Sequence, residues 1–136
     1  MSIELTAILA GTVAAATPII FAGLGELVAE RTGVINLGVE GMMLVGAIAG
    51  FAFASQYDAS VASALLIGGL AGVFMALIFA FFTLSMSTNQ SACGLALTIF
   101  GIGISAFIGQ SYVSTTLPGL TNLNIPGLAE IPVPGC

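Results

Sequence analysis

GELVAERTGVINLGVEGMMLVG, residues 25–46, is the stretch on which the fold of this chain turns. It holds Glu26, Glu30, Arg31 and Glu40, in a protein whose whole charge is one arginine and six acids. Strongly apolar sequence flanks it on both sides, where an ionisable side chain is costly and more often functional than decorative. Glu26 and Glu30 stand four residues apart, so on a helix they share a face and repel. Arg31 adjoins Glu30 but offsets only part of that charge. On one unbroken helix Arg31 and Glu40 would lie roughly 13 Å apart along the axis, too far for the arginine to neutralise the acid.

The composition around this stretch is that of a membrane protein. Of 136 residues, 58% are hydrophobic and 5% charged, against about a quarter charged in soluble domains. The mean hydropathy of +1.18 agrees. The fold expected is an all-α, polytopic membrane helix bundle. With no histidine, lysine or tryptophan, histidine-based catalysis, most metal sites and any basic surface for nucleic acid are excluded. No cofactor site is legible. Cys93 and Cys136 have no ligand spacing and make a poor disulfide pair. The first residues lack a basic leader region, carry Glu4, and stay apolar past Ala14-Ala15-Ala16, so no cleaved signal is expected.

Four apolar spans follow: Leu5–Leu24, Gly33–Ala54, Ala59–Leu84 and Ser91–Ile108. The first, at helical rise, reaches about 30 Å, the thickness of the hydrocarbon core. Pro18 within it predicts a kink or the approach to a break. Gln56-Tyr57-Asp58 forms the turn into the third span, and Ser85–Gln90 is a polar bridge in which Asn89 and Gln90 read as loop residues. Glycine pairs Gly46/Gly50 and Gly68/Gly72 predict close helix contacts. Residues 1–109 thus form the transmembrane region. Residues 110–136, rich in proline, read as an extracytoplasmic loop or tail, and the chain looks cut off before a next membrane segment. Arg31, the one basic residue, favours the cytoplasmic side. That puts Asp58 outside and the 85–90 bridge inside.

The second span is marginal as a membrane helix. Its strongly apolar side chains contribute about −4 kcal/mol to insertion, while a central acid opposes by about 3 kcal/mol. A break near residues 31–38 relieves this. Gly33, Gly38 and Gly41 weaken helix, and Asn36 is a suitable N-cap for a helix starting at Leu37. Glu40 then falls in a first turn, where the helix dipole favours a carboxylate. Discontinuous helices with polar ends at membrane depth are a recurring way to build transporter sites. The competing reading makes 26–32 a cytoplasmic turn, with Glu40 hydrogen-bonded to a neighbouring helix.

ATPIIFAGLGELVAERTGVINLGVEGMMLVGA, residues 16–47, closely resembles the permease subunits of bacterial and archaeal ABC importers for nucleosides and simple sugars, within the wider branched-chain amino acid and ribose permease family. The shared pattern is carried by Thr17-Pro18, Gly25-Glu26-Leu27, Glu30-Arg31, Gly33-Val34, Asn36-Leu37-Gly38 and Glu40-Gly41-Met42-Met43. Residues 88–109 are similar to another helix of the family, departing from it at Ala92-Cys93, and the tail is similar to an outer loop. The resemblance covers nearly all of this chain but only the N-terminal half of such a permease.

The resemblance implies a translocation path built from two permease subunits, driven by cytoplasmic ATPase subunits and fed by an extracytoplasmic solute-binding protein. The permease itself performs no chemistry. Asn36 and Glu40 would face the cavity or hold its walls, and Glu26, Glu30 and Arg31 would stabilise the break or its cytoplasmic end. Two other classes stay open on composition: a proton-carrying rotor subunit using Glu40, and a small structural membrane protein.

Overall fold

Four long helices follow one another in the computed structural model, which describes residues 2–57 and 59–117. They are α1 (Ser2–Arg31), α2 (Val39–Tyr57), α3 (Val61–Ala80) and α4 (Gln90–Gly109). A π-helical turn, Phe81–Ser85, extends α3, and a 3-10 turn, Gln110–Tyr112, extends α4. No strand occurs among the described residues. Each of the four helices is long and apolar enough to cross a membrane, as the all-α reading expects. The segment carrying α2 has a mean hydropathy of 1.4 against 2.5 for α3, so the helix that begins beside Glu40 is the weakest membrane segment by itself. Asp58, and the tail from Pro118 to Cys136 with Pro126, Pro132 and Pro134, lie outside the described residues.

The boundaries depart from expectation at the central stretch. α1 does not stop near Leu24 but runs through GELVAER to Arg31, so Glu26, Glu30 and Arg31 sit on helix rather than in a turn. Glu, Leu, Ala and Arg are all strong helix formers, and a cation in the last turn complements the helix dipole. α1 also continues through Pro18. The second helix starts at Val39, later than Gly33 or Leu37. The break therefore occupies residues 32–38.

α2 is the central helix. One side meets α3, where a Cβ on Gly46 would lie 2.9 Å from the Gly68 carbonyl oxygen, and one on Gly50 would lie 2.9 Å from that of Ala64. Another side meets α4, where a Cβ on Gly101 would lie 2.6 Å from Gly41 Cα. Gly41 and Gly46 are about 140° apart around the helix, which lets α2 present a glycine to each neighbour. Without side chains between them, backbones approach closely and gain dispersion contacts where lipid removes the hydrophobic drive. Met42, Met75, Phe79 and Leu97 are buried together where α2 begins, with Val34 of the break packed against them. At the other end of α2, Gln56 Nε2 donates to Tyr112 Oη at 2.7 Å, and Phe51 meets the Tyr112 ring edge-on. α1 stands apart, its apolar side chains such as Leu9, Val13, Ile19 and Phe21 exposed along its length. In a bilayer such faces meet lipid or further helices.

Candidate functional site

The break begins with a local helix stop. Gly33 takes φ +83, a left-handed conformation natural to glycine. Its N–H donates to Glu30 O at 2.9 Å, while Val34 N–H reaches back to Ala29 O at 3.3 Å. These two bonds form a Schellman motif, which satisfies carbonyls that every helix end leaves free. Thr32 Oγ1 adds a third local bond, donating to Ala29 O at 2.7 Å.

The restart is local as well, though not as the sequence suggests. Asn36 does not cap a helix at Leu37. Its Oδ1 accepts Gly38 N–H at 2.9 Å, closing an Asx turn, which Asn forms readily because its side chain mimics a backbone carbonyl. Gly38 then supplies the first helical acceptor, taking Met42 N–H at 3.0 Å. Asn36 Nδ2 points to Met42 Sδ at 3.7 Å. Glu40 falls in the first turn of α2.

Between these two caps the chain takes no regular structure, and its backbone groups find partners on other helices. Asn36 N–H donates to Glu26 Oε1 of α1 at 2.8 Å. Ile35 N–H donates to Gln90 Oε1 of α4 at 2.9 Å. Leu37 O accepts the hydroxyl of buried Thr98, also of α4, at 2.8 Å. The second oxygen of Glu26 is buried and has no hydrogen-bond partner among the described residues. Buried Gly94 lets α4 approach this segment, since a Cβ there would lie 2.9 Å from Leu37 N and 3.0 Å from Gly38 N.

The candidate residues therefore divide. Glu26 and Asn36 are joined directly, and Glu40 stands one helical turn beyond Asn36, exposed. Glu30 and Arg31 are exposed at the end of α1, and among the described residues neither makes a side-chain hydrogen bond or ion pair with the break. The break is flanked by Gly94, Leu97 and Thr98, which lie inside a membrane-grade helix, rather than by loop.

Two residues that the sequence assigns to a loop belong to this assembly. Asn89 caps α4, its Oδ1 accepting Ala92 N–H at 3.1 Å. Gln90 is the first residue of α4 and holds Ile35. A signal for both exists in the sequence. Asn89 directly precedes an apolar run, as an N-cap does. Gln90, Gly94 and Thr98 recur every fourth residue, a polar and small stripe along one face of an otherwise apolar helix.

Residues 8–118 match the model of a family described as the permease component of the branched-chain amino acid transport system. The chain is similar to the candidate glucose ABC transporter permease protein of Haloferax volcanii, 41% identical over 88% of this chain and 36% of the relative. It is similar also to the guanosine ABC transporter permease protein of Bacillus subtilis, 31% identical over 96% of this chain and 44% of the relative. A third, the nucleoside ABC transporter permease protein of Lactococcus lactis, is 28% identical over 88% of this chain and 40% of the relative. The chain thus spans about two fifths of the length of the curated relatives it matches. No solved structure matches it.

Proposed function

We propose that this chain, a member of the permease-component family of ABC transport systems with four helices able to cross a membrane, forms part of the solute path of an ATP-driven importer for nucleosides or simple sugars. The family match along residues 8–118 carries this conclusion. Relatives named for glucose, guanosine and nucleoside transport support the substrate class. They also favour a permease over a rotor subunit or a purely structural membrane protein.

The work of such a subunit is conformational. Members of the family operate with ATPase and binding-protein partners, and for this chain we assign cytoplasmic ATPase subunits, a second permease subunit and an extracytoplasmic solute-binding protein. The break supplies the polar element of the path. It interrupts helix at a depth where α4 is continuous, so it places backbone dipoles and the first turn of α2 inside the bundle. The positive end of the α2 dipole lies there, with Glu40 beside it. A polyhydroxylated solute needs such hydrogen-bonding groups to replace its water, and an apolar bundle offers few others. Asn36 and Glu40 line or brace this element, Glu26 anchors it, and Glu30 and Arg31 mark its cytoplasmic end.

Uptake of radiolabelled guanosine and glucose tests the assignment, comparing the native host with a strain lacking the gene and with one carrying Glu40→Gln. Loss of uptake of one solute class on deletion is expected, with at least a tenfold fall for Glu40→Gln at normal membrane levels. Unchanged uptake in the deletion strain would overturn the importer assignment. Unchanged uptake in Glu40→Gln alone would remove that carboxylate's charge from the mechanism.

A further inference from the structure

The break is capped at both ends by its own neighbourhood but not in its middle. Gly33 and Thr32 close α1, and Asn36 closes the turn into α2. The groups between them depend on helices: Ile35 N–H and Leu37 O on Gln90 and Thr98 of α4, and Asn36 N–H on Glu26 of α1. Of the two bonds to α4, the one from Thr98 to Leu37 is part-buried, where water is a poor substitute for a missing partner, and the one from Ile35 to Gln90 is exposed. The segment cannot leave α4 without baring two backbone groups.

Packing tightens the same attachment. At Gly94 and Gly101 of α4 the backbone of residues 37–41 approaches so closely that a Cβ at either position would lie within 3.0 Å of it. Interfaces of this kind shift as units because packed backbones have no slack to deform. α1 makes a weaker attachment. Beyond the bonds of the helix stop at residues 32–34, it reaches the break through one hydrogen bond, from Asn36 N–H to Glu26, and a left-handed glycine stands at the junction.

On the permease reading of the chain, we propose that Gln90 and Thr98 are positioning residues that lock the break to α4. The start of α2, with Glu40 in its first turn, is then carried by α4 rather than by α1. As the transporter alternates between its two open states, α2 and α4 move as one body. α1 pivots at Gly33, and the Glu26–Asn36 hydrogen bond is the contact that parts. Neither Gln90 nor Thr98 needs to touch solute for its loss to slow transport.

Gln90→Leu and Thr98→Val test the lock, with Gln90→Glu and Thr98→Ser each keeping an oxygen in place. The first readout is amide hydrogen exchange over residues 33–38, in protein purified from its host into lipid nanodiscs with whatever subunits accompany it. The second is uptake of labelled guanosine and glucose by the host carrying each variant at the native locus. Losing one net hydrogen bond predicts about fivefold faster exchange in the two apolar variants. The maximal uptake rate should fall by about the same factor, with half-saturation within about twofold. The two oxygen-keeping variants should stay near normal in both readouts.

Unchanged exchange in both apolar variants would overturn the lock. Accelerated exchange with undiminished uptake would overturn the positioning role. Failure of Thr98→Ser as complete as that of Thr98→Val, at equal membrane levels, would show that the hydroxyl is not the operative group. If the unaltered host takes up neither solute class, the substrate assignment falls, and the exchange measurement still decides whether α4 holds the break.

Discussion

The two oxygens of the Glu26 carboxyl meet different fates: one accepts Asn36 N–H at 2.8 Å, and the other is buried with no partner among the described residues. An amide in its place keeps the acceptor and drops the formal charge. Burial of a charge that is only half satisfied works against the fold, so Glu26→Gln should leave thermal stability unchanged or raise it by about 1 kcal/mol. Glu26→Ala strands the Asn36 N–H and should lower stability by about 1–2 kcal/mol. Thermal unfolding in nanodiscs separates the two, and equal losses would mean that the carboxylate charge matters to the fold. Glycines divide just as sharply. A Cβ on Gly41 would stand 2.6 Å from the Leu97 carbonyl oxygen, whereas one on Gly69 meets nothing within 4 Å. Gly41→Ala should therefore cost about 1–3 kcal/mol through forced separation of α2 and α4. Gly69→Ala should be neutral or slightly stabilising, since alanine is the better helix former.

At the scale of elements, the decisive feature is how one helix stops and the next begins within seven residues. The stop depends on Gly33 at φ +83. A β-branched residue there is strained by about 1–2 kcal/mol, so Gly33→Val should loosen the end of α1. The expected sign is faster amide exchange at positions 33 and 34, whose N–H groups make the Schellman bonds. Exchange at Ala92, inside the cap of α4, should not change. Uniform acceleration along the chain would instead mean global destabilisation. The end of α3 shows the same reliance on local chemistry. There Thr83 Oγ1 donates to Phe79 O at 2.8 Å, and Thr88 Oγ1 to Phe82 O at 2.7 Å.

For the whole molecule, the order of helices sets which ends share a side of the membrane. The α3–α4 connection, with exposed Ser87, lies at the end of the bundle that holds the break, and exposed Tyr57 lies at the opposite end of α2. The lone basic residue, Arg31, favours placing the break end in the cytoplasm. Single cysteines at Ser87 and Tyr57, with the native cysteines replaced, should react with a membrane-impermeant maleimide from opposite sides. Position 57 should label in intact cells and position 87 only after permeabilisation. Labelling of both from one side would contradict the packing of α2 against α3. The reverse pattern would keep the fold and invert its orientation. The exposed apolar length of α1 belongs to this scale too, since a bilayer or further helices must cover it.

Read alone, the sequence carries the membrane class, the four spans and the likeness to a permease, and it favours a helix break near residues 31–38 over a cytoplasmic turn at 26–32. Each rests on local properties: hydropathy summed over a span, glycine and asparagine where helix is weak, and a dense motif in contiguous residues. The run of helix through Glu26, Glu30 and Arg31 is legible from propensity, since Glu, Leu, Ala and Arg are strong helix formers and a helix end tolerates their charge. The partners of the break were beyond reach. Gln90 meets Ile35 across 55 positions, and Thr98 meets Leu37 across 61. Such bonds depend on how far α4 is rotated and how deep it sits against α2, which the glycine contacts at Gly41, Gly94 and Gly101 set jointly. Rotation and depth are properties of packed pairs of helices, so the side chains that hold the stretch from Gly25 to Gly46 together are chosen in three dimensions.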